Sequence, residues 1–424
     1  MSTDPGERDD RRADGLSGSA VRWLACAFAL AVGAGAIALA NEGDGPVVTS
    51  GHAPTTTAPA APRADPQPSQ IPVPTAPLGT AYDGWVDPAS AGKPQSHVVA
   101  GLLTFRGNAT RSWYGIGPVP DQPRVAWSYP RGDTMCGVSD PGTGPVTWCG
   151  TGWTGQPAVF ERGDRTWAIF GAYDYAVHFV DAVTGDDILP PFPTDDIIKG
   201  SVSVDPDGYP LVYTGSRDNY LRVIAFDQDE PVELWRLSAD AAGVRKWNND
   251  WDGSPLVIDD YLFEGGENSV FHIVKLNRGY DGEGHVTVDP QLVFTAPGWD
   301  DDLIAAVGDN VSIENSVAVS GDTVYFANSG GLVQGWDIGD LAVGGEPTRV
   351  FRYWVGDDTD ASVVIDDEGA RGSRSSPTTS SRLISRPTPT AEARSSPSRG
   401  SRGLGDLRER RDRWRLVGNA RDPR

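Results

Sequence analysis

The sequence predicts an all-β protein built from repeated units of four antiparallel strands. Its 424 residues include 51 Gly, 34 Pro and 14 Trp, and a chain rich in turn formers and aromatic residues favours short strands joined by tight turns. Short runs with alternating apolar residues recur through the middle of the chain, which is the pattern of strands and not of helices. The length is sufficient for one large or two ordinary domains.

Four stretches of the chain align on one template, and they begin at Gly155, Gly200, Gly253 and Glu314. Each contains two apolar strands, a polar turn and a third strand that closes on Asp or Asn. The closing residues are Asp181, Asp227, Asn277 and Asp337. A fourth segment carries aromatic residues, as in VELWRLS and RVFRYWV. Four antiparallel strands in a unit of about 40 to 60 residues predict the blade of a β-propeller; a β-sandwich with coincidental turns is the alternative.

The repeats also have a family likeness. The residues DAVTG at Asp181 and the closing aromatics resemble the PQQ-like β-propeller repeats of the quinoprotein-dehydrogenase superfamily. The stretch LTFRGNATRSWYGIGPVPDQPRVAWSY, from Leu103, resembles the opening segment of such propellers. The resemblance extends to Gly369 and implies that a strand ending in Val-Ala-Trp joins the last blade. Because one fold hosts many activities, the resemblance implies the fold more strongly than the function.

An apolar run, Val21 to Ala40, has no charge after Arg22. About 20 residues at about 1.5 Å rise cross a hydrocarbon core of about 30 Å. Arginines precede the run while Glu42 and Asp44 follow it, so the positive-inside rule places residues 1–20 in the cytoplasm and the rest of the chain outside. We therefore expect a single-pass anchor in the cell membrane, with a cleaved signal peptide as the alternative.

Residues 41–80 are rich in Pro, Thr and Ala and are predicted to be a disordered, extended linker. It would hold the predicted propeller, residues 81–369, away from the membrane. The formal net charge of −22 argues against a nucleic-acid partner, because binding nucleic acid requires cations that neutralise phosphates.

Cys136 and Cys149 flank a Gly- and Pro-rich loop in the part predicted to lie outside the cytoplasm. A disulfide between them is the natural interpretation in an oxidising compartment. On the loop-closure model it would stabilise the fold by about 3 kcal/mol.

Polar and aromatic side chains concentrate in loops that open on one face of the predicted propeller. Converging carboxylates, amides and tryptophans are typical of a site for a sugar, a peptide or a metal-bound cofactor. Tight turns also select Asn, Asp and Gly, and both explanations stay open; two tryptophans, expected to be exposed, favour a ligand. The candidate ligand-binding residues are Tyr173, Asp174, Arg217, Asp218, Asn219, Trp247, Trp251, Asp252, Glu267 and Asn268.

The stretch NNDWDGSPLVID suggests a calcium loop, because Asn248, Asp250 and Asp252 alternate and Gly253 stands at the turn. Asp259 would be a further ligand. Against calcium, Gly253 aligns with the glycines that open other repeats, and a strand after it would separate Asp259 from the site.

Two functions remain open. The family's dehydrogenases use PQQ, calcium, a vicinal disulfide and a catalytic Asp, but this sequence has no adjacent cysteines and no single Asp that stands out as the base. The favoured prediction is a membrane-anchored, extracytoplasmic propeller that binds an envelope protein or a glycan as a scaffold. The alternative is a PQQ- and calcium-dependent dehydrogenase.

The repeat pattern stops at Gly369. The stretch TDASVVIDDEG matches the start of the earlier repeats, but residues 370–424 follow with 14 Arg, 5 acidic residues and no Lys. Such a segment is predicted to be disordered. We favour loss of the reading frame near Gly369, which would leave an incomplete ring with open, unstable edges. A natural basic tail that binds acidic surfaces or anionic lipid is the alternative.

Overall fold

The computed structural model of the protein describes residues 82–152, 155–243 and 245–366. The predicted anchor, linker and basic tail lie outside these residues. Among the helices of the described part, none is long and apolar enough to span a bilayer.

Strands account for nearly all the regular structure. One α-helix, α1 (Asp301–Val307), and 3₁₀ segments at Pro88–Ser90, Phe105–Gly107 and Leu341–Val343 complete it within the described residues. In chain order the strands are β1 (Gly101–Leu102), β2 (Cys136–Ser139), β3 (Val146–Cys149), β4 (Ala158–Arg162), β5 (Arg165–Ala172), β6 (Ala176–Asp181), β7 (Asp187–Pro193), β8 (Ser203–Val204), β9 (Leu211–Gly215), β10 (Tyr220–Ala225), β11 (Val232–Ser238), β12 (Leu256–Ile258), β13 (Tyr261–Gly265), β14 (Val270–Lys275), β15 (Gly279–Tyr280), β16 (Val286–Thr287), β17 (Gln291–Pro297), β18 (Ala318–Ser320), β19 (Thr323–Phe326), β20 (Leu332–Asp337) and β21 (Thr348–Trp354).

Four antiparallel sheets follow one another along the chain, and each contains a run of four strands in chain order. The first is β4-β5-β6-β7 with β1 added beside β4, and the second is β8-β9-β10-β11. The third is β12-β13-β14-β17, and the fourth is β18-β19-β20-β21. The four predicted repeats therefore correspond to four sheets, with β15-β16 and β2-β3 as additional hairpins.

The sheets pack face to face in chain order. In β13, Tyr261 and Phe263 join a core shared with the fourth sheet, while Leu262 joins a core shared with the second. A further core joins the first and second sheets. The inner strands are buried on both faces for this reason, whereas the outermost strand of the fourth sheet, β21, is largely exposed. Successive residues of a strand point to opposite faces of its sheet. Apolar residues on both faces are buried because each face packs against a neighbouring sheet.

One short segment, Gly101–Arg111, contacts every sheet at its first strand or at the residues just before that strand; we call it the axial segment. Its residues Gly101 and Leu102 pair with β4. The Leu103 carbonyl accepts a hydrogen bond from Val204 N in β8 at 2.7 Å. The axial segment continues to the third and fourth sheets, where the Phe105 amide donates to Ser254 Oγ at 3.2 Å and the Ala109 carbonyl accepts from Val319 N at 2.8 Å.

Because all four sheets begin beside the same short segment, they surround a common axis, which is the arrangement of a β-propeller. Arg111 fixes this centre. Its guanidinium is fully buried and donates to the carbonyls of Val317 and Ser254 at 2.6 and 2.9 Å. Burial lowers the pKa of Arg111 to about 9, so it stays charged at neutral pH.

A repeated hydrogen bond links the starts of the sheets. The amide of Gln156 donates to Ser201 Oγ, that of Ser254 to Ser316 Oγ, and that of Ser316 to Ser362 Oγ, each at 2.9 Å. Ser362 lies beyond the fourth sheet, so a fifth repeat begins in register. The expectation of four blades and a partial one agrees with the described residues.

The segment around Trp127 differs from what the resemblance implies. Residues 125–127 form no strand, and Trp127 Nε1 donates to the Ala182 carbonyl of the first sheet at 3.2 Å. Among the described residues no last sheet is present for a Val-Ala-Trp strand to join. The disulfide prediction is confirmed: Cys136 and Cys149 are bonded and face each other across the β2-β3 hairpin.

Candidate functional site

A cavity of about 710 Å³ lies beside the axial segment, where the sheets begin. Its wall combines the starts of the first, third and fourth sheets with the start of the fifth repeat. The lining residues are Phe105, Arg106, Tyr114, Gly155, Gln156, Pro157, Asp252, Glu314, Ser316, Asp360, Ala361, Ser362 and Val364. A volume of about 300–1,000 Å³ is typical of pockets that bury a small ligand.

One aligned position of the repeat supplies the charge of this site. It lies two residues before the serine that takes part in the repeated hydrogen bond, and we call it the ring position. The ring position holds Lys199, Asp252, Glu314 and Asp360 in successive repeats. The last three line the cavity, and Lys199 contacts Asp252.

Lys199 and three carboxylates form a closed, buried cluster; we call it the lysine cluster. Lys199 Nζ lies 2.8 Å from an oxygen of Asp250, 2.8 Å from Asp252 and 2.9 Å from Glu267. Arg217 adds a second cation, 3.3 Å from Asp250. Burial alone would lower the pKa of Lys199, but the adjacent carboxylates outweigh it and hold that pKa well above its usual value. Lys199 therefore stays protonated, while burial raises the pKa of Asp250 and Asp252 in the same cluster.

Glu314 and Asp360 are in a different electrostatic situation. Among the described residues neither has an ion-pair partner, and both hydrogen bonds to Glu314, from Ser312 and Ser329, go to Oε1. Burial, together with the negative charge of Glu267 and Asp360, raises the pKa of Glu314 to about 7. Burial is the largest cause of this shift, and the neighbouring negative charges add to it.

The predicted calcium loop has a different arrangement. Asp250 and Asp252 do converge, with Glu267 as the third carboxylate, while Asn248 Oδ1 accepts a hydrogen bond from the backbone amide of Asp250. Lys199 Nζ occupies the point where the three carboxylates meet, so these residues do not fit a calcium ion. Asp259 follows β12 at the opposite end of the strand, as the strand prediction required.

Asp174 and Asp218 have structural partners. Each lies four residues before a buried polar side chain of the third strand in its sheet. Asp174 accepts from His178 Nε2 at 3.0 Å, and Asp218 accepts from Arg222 Nη1 at 2.8 Å. They are not among the residues that line the cavity.

The remaining predicted ligand residues also lie away from the cavity. Trp251 is only 1% exposed and packs on His272, so the expectation that it is exposed is wrong; Trp247 is 37% exposed. Asn219 Nδ2 donates to Ser238 Oγ, and Asn268 Nδ2 to the Ala239 carbonyl. Of the predicted set, Asp252 lines the cavity, and Arg217 and Glu267 support it through the lysine cluster. Tyr173 is buried against Trp148.

Lys199, Glu314 and Asp360 were missed by the sequence analysis. The polar pattern of the sequence points to turn residues, whereas Lys199 and Glu314 precede the first strand of a sheet and Asp360 lies at the same place in the fifth repeat. An alignment of the four Xaa-Xaa-Ser starts would have revealed one charged residue per repeat, although not which of them are neutralised. The third sheet adds a buried pair that the sequence did not suggest: Glu264 lies opposite His272, and burial lowers the pKa of His272 to about 4.

The fold and this site define a β-propeller-like repeat protein with a charged central pocket. No protein-family model and no curated protein matches the chain. Among solved structures it is similar to BamB from Moraxella catarrhalis, with 15% identity, a TM-score of 0.37 and coverage of 51% of this chain and 57% of that one. It is also similar to the WD40 repeats of RRP9, with 11% identity, a TM-score of 0.35 and coverage of 53% and 60%. The chain thus matches less than two thirds of either structure, and the fold assignment rests on strand order and packing.

Proposed function

We propose that this protein is a binding or scaffold module whose ligand enters the central pocket. The observation that carries the proposal is the ring position: three successive repeats each place one carboxylate, Asp252, Glu314 or Asp360, in the wall of a single cavity. Two of these residues, Glu314 and Asp360, line the cavity without an ion-pair partner among the described residues. Charged groups held by a rigid scaffold at a concave surface are suited to orienting a polar ligand.

The lysine cluster favours binding over catalysis. A general base must be free to accept a proton, and the carboxylates of Asp250, Asp252 and Glu267 already share the Lys199 ammonium. Calcium does not fit the same cluster because the ammonium occupies its centre. These residues therefore support a scaffold better than a PQQ- and calcium-dependent dehydrogenase.

We also propose that the module works outside the cytoplasm, at the cell envelope. The Cys136–Cys149 disulfide supports this location, because disulfides persist in oxidising compartments. The apolar run at residues 21–40 and the spacer at residues 41–80 are the sequence features that would anchor and extend it. The partner would be an envelope protein or a glycan.

Photo-crosslinking tests the pocket as the binding surface. A benzoyl-phenylalanine residue replaces Tyr114, which lines the cavity and is 65% exposed. The matched control replaces Tyr280, which is 56% exposed in the β15-β16 hairpin. We expect one partner to be captured through position 114 in envelope fractions and not through position 280. Equal capture at both positions, or none at 114, would contradict a pocket ligand.

A further inference from the structure

We propose that the pocket binds arginine side chains of the chain's own C-terminal segment, residues 370–424. This inference rests on the proposed function, because it names the chemistry that the pocket takes. It takes residues 370–424 as a natural basic tail, which is the alternative to loss of the reading frame. The surface is a cavity whose lining contains three carboxylates, Asp252, Glu314 and Asp360, and one cation, Arg106.

The charges are complementary. Residues 370–424 contain 14 Arg and 5 acidic residues. The cavity wall carries Glu314 and Asp360, which lack an ion-pair partner among the described residues, and its lining also includes the cation Arg106. Asp358 adds a carboxyl group that is hydrogen-bonded to Asp360. An occupant with a positive charge would remove the repulsion between these carboxylates, whereas an anionic occupant would add to it.

The geometry of Glu314 suits a guanidinium. Ser312 and Ser329 both bond to Oε1, at 2.6 and 3.2 Å, and Oε2 receives no hydrogen bond from the described residues. The two serines fix the orientation of the carboxylate, so Oε2 is held in place without being satisfied. A guanidinium presents several N–H donors in one plane and pairs with carboxylates more specifically than an ammonium does.

The same wall already contains an internal example of this chemistry. The ring position of the second repeat is Lys199, whose ammonium neutralises Asp252 at 2.8 Å. Glu314 and Asp360 occupy the ring position of the fourth and fifth repeats. The ring position of the repeat before each of them holds a carboxylate and not a lysine. A cation delivered by another segment would complete for them the pairing that Lys199 provides for Asp252.

The last described residues of the chain lie beside the cavity. Ser362 and Val364 line it, and the Ile365 amide donates to the Thr110 carbonyl of the axial segment at 2.9 Å. Arg371 follows Val364 by seven residues, which extend up to about 24 Å. Several arginines can therefore return to the pocket from which the chain leaves.

The tether makes weak binding sufficient. A short flexible connection gives an effective concentration of the order of 1 mM. A segment whose untethered Kd is about 1 mM would then occupy the pocket about half of the time. A basic segment of an external partner would have to bind more tightly than this to displace it.

The experiment uses the full-length chain with benzoyl-phenylalanine at position 114. After irradiation at about 0.1 M salt, the crosslinked peptides are mapped by mass spectrometry. We expect crosslinks to residues 370–424, with a yield that falls about fivefold or more at about 1 M salt, where the Debye length is about 3 Å. We expect the same fall in Glu314→Gln/Asp360→Asn, in which the charge is removed but the hydrogen-bond acceptors remain.

Two controls make the result specific. The variant Asp229→Asn/Glu230→Gln removes two exposed carboxylates from the turn between β10 and β11 and should leave the crosslink yield unchanged. Isotope-labelled and unlabelled chains are mixed before irradiation, so that binding within one chain gives no mixed products. Circular dichroism of each variant confirms that the β-fold is retained.

The inference is overturned if the crosslinks miss residues 370–424, if they join labelled to unlabelled chains, or if salt and charge removal leave the yield unchanged. The same experiment tests the proposed function separately. Capture of an external partner through position 114, without crosslinks to the chain's own segment, would remove this inference and keep the pocket as a binding site. No capture of any kind would remove both.

Discussion

Asp252 and Glu314 occupy the same ring position in consecutive repeats, and burial raises the pKa of both, yet their partners differ. Asp252 is 2.8 Å from the Lys199 ammonium in a closed cluster. Glu314 has only serine partners among the described residues, and its pKa is raised to about 7. The repeat thus determines where a side chain lies, and the sign of the neighbouring charge determines whether it is part of the scaffold or available to a ligand.

The largest effect should come from removing the cation of the lysine cluster. Lys199→Met leaves three buried carboxylates facing one another with Arg217 as the remaining cation. Loss of one partner from a buried ion pair costs about 3–5 kcal/mol. We expect urea unfolding to show a loss of that size. The exposed Lys93 is the control, and Lys93→Met should change stability by less than about 0.5 kcal/mol. Similar losses of stability in Lys199→Met and Lys93→Met would show that the buried lysine contributes no more to the fold than an exposed one.

Opening the disulfide should weaken the lysine cluster from outside. The hairpin that Cys136 and Cys149 close carries the Asp140 carbonyl, which accepts a hydrogen bond from Arg217 at 3.0 Å. Arg217 in turn contacts Asp250. Cys136→Ser/Cys149→Ser should reduce the free energy of unfolding by about 3 kcal/mol on the loop-closure model. Unfolding with and without reductant measures it, and reductant should not affect the double variant.

The pH dependence of stability should reveal the ionisation of Glu314. Its folded pKa of about 7 exceeds the ordinary value of 4.5, so ionisation penalises the folded state as the pH rises through that window. Below about pH 4.5 Glu314→Gln should match the wild type, because both side chains are then neutral. At pH 8 the variant should melt about 2–4 °C higher. A gain at low pH instead would show that the sign is wrong.

The smallest expected effect is a change in the pKa of His272, which shares one repeat position with His178. His178 has Asp174 four residues earlier, whereas His272 has Asn268 at that place, and Asn268 is bonded to backbone groups. Asn268→Asp should raise the pKa of His272 from about 4, because a carboxylate favours the imidazolium. An NMR titration of the His272 ring measures this pKa. An unchanged value would show that the turn holds the new carboxylate away from the ring.

The sequence predicted the fold better than the site. Apolar alternation and the repeat starts were sufficient for the four sheets, the partial fifth repeat and the Cys136–Cys149 bond, because each depends on local pattern. The site depends on contacts between repeats. Asp174 has the appearance of a ligand in sequence but bonds to His178, and Trp251 is buried because the second and third sheets close over it. Neither partner can be read from the turn itself.

Carboxyl footprinting tests the central claim most directly. The full-length protein at about 1 M salt, where ionic contacts with the basic segment are screened, is treated with a carbodiimide and a small amine, and modified residues are located by mass spectrometry. We predict modification of Glu314 and Asp360 and none of Asp250, Asp252 or Glu267 before unfolding. Equal modification of the two groups would contradict the division between a closed lysine cluster and an open pocket wall.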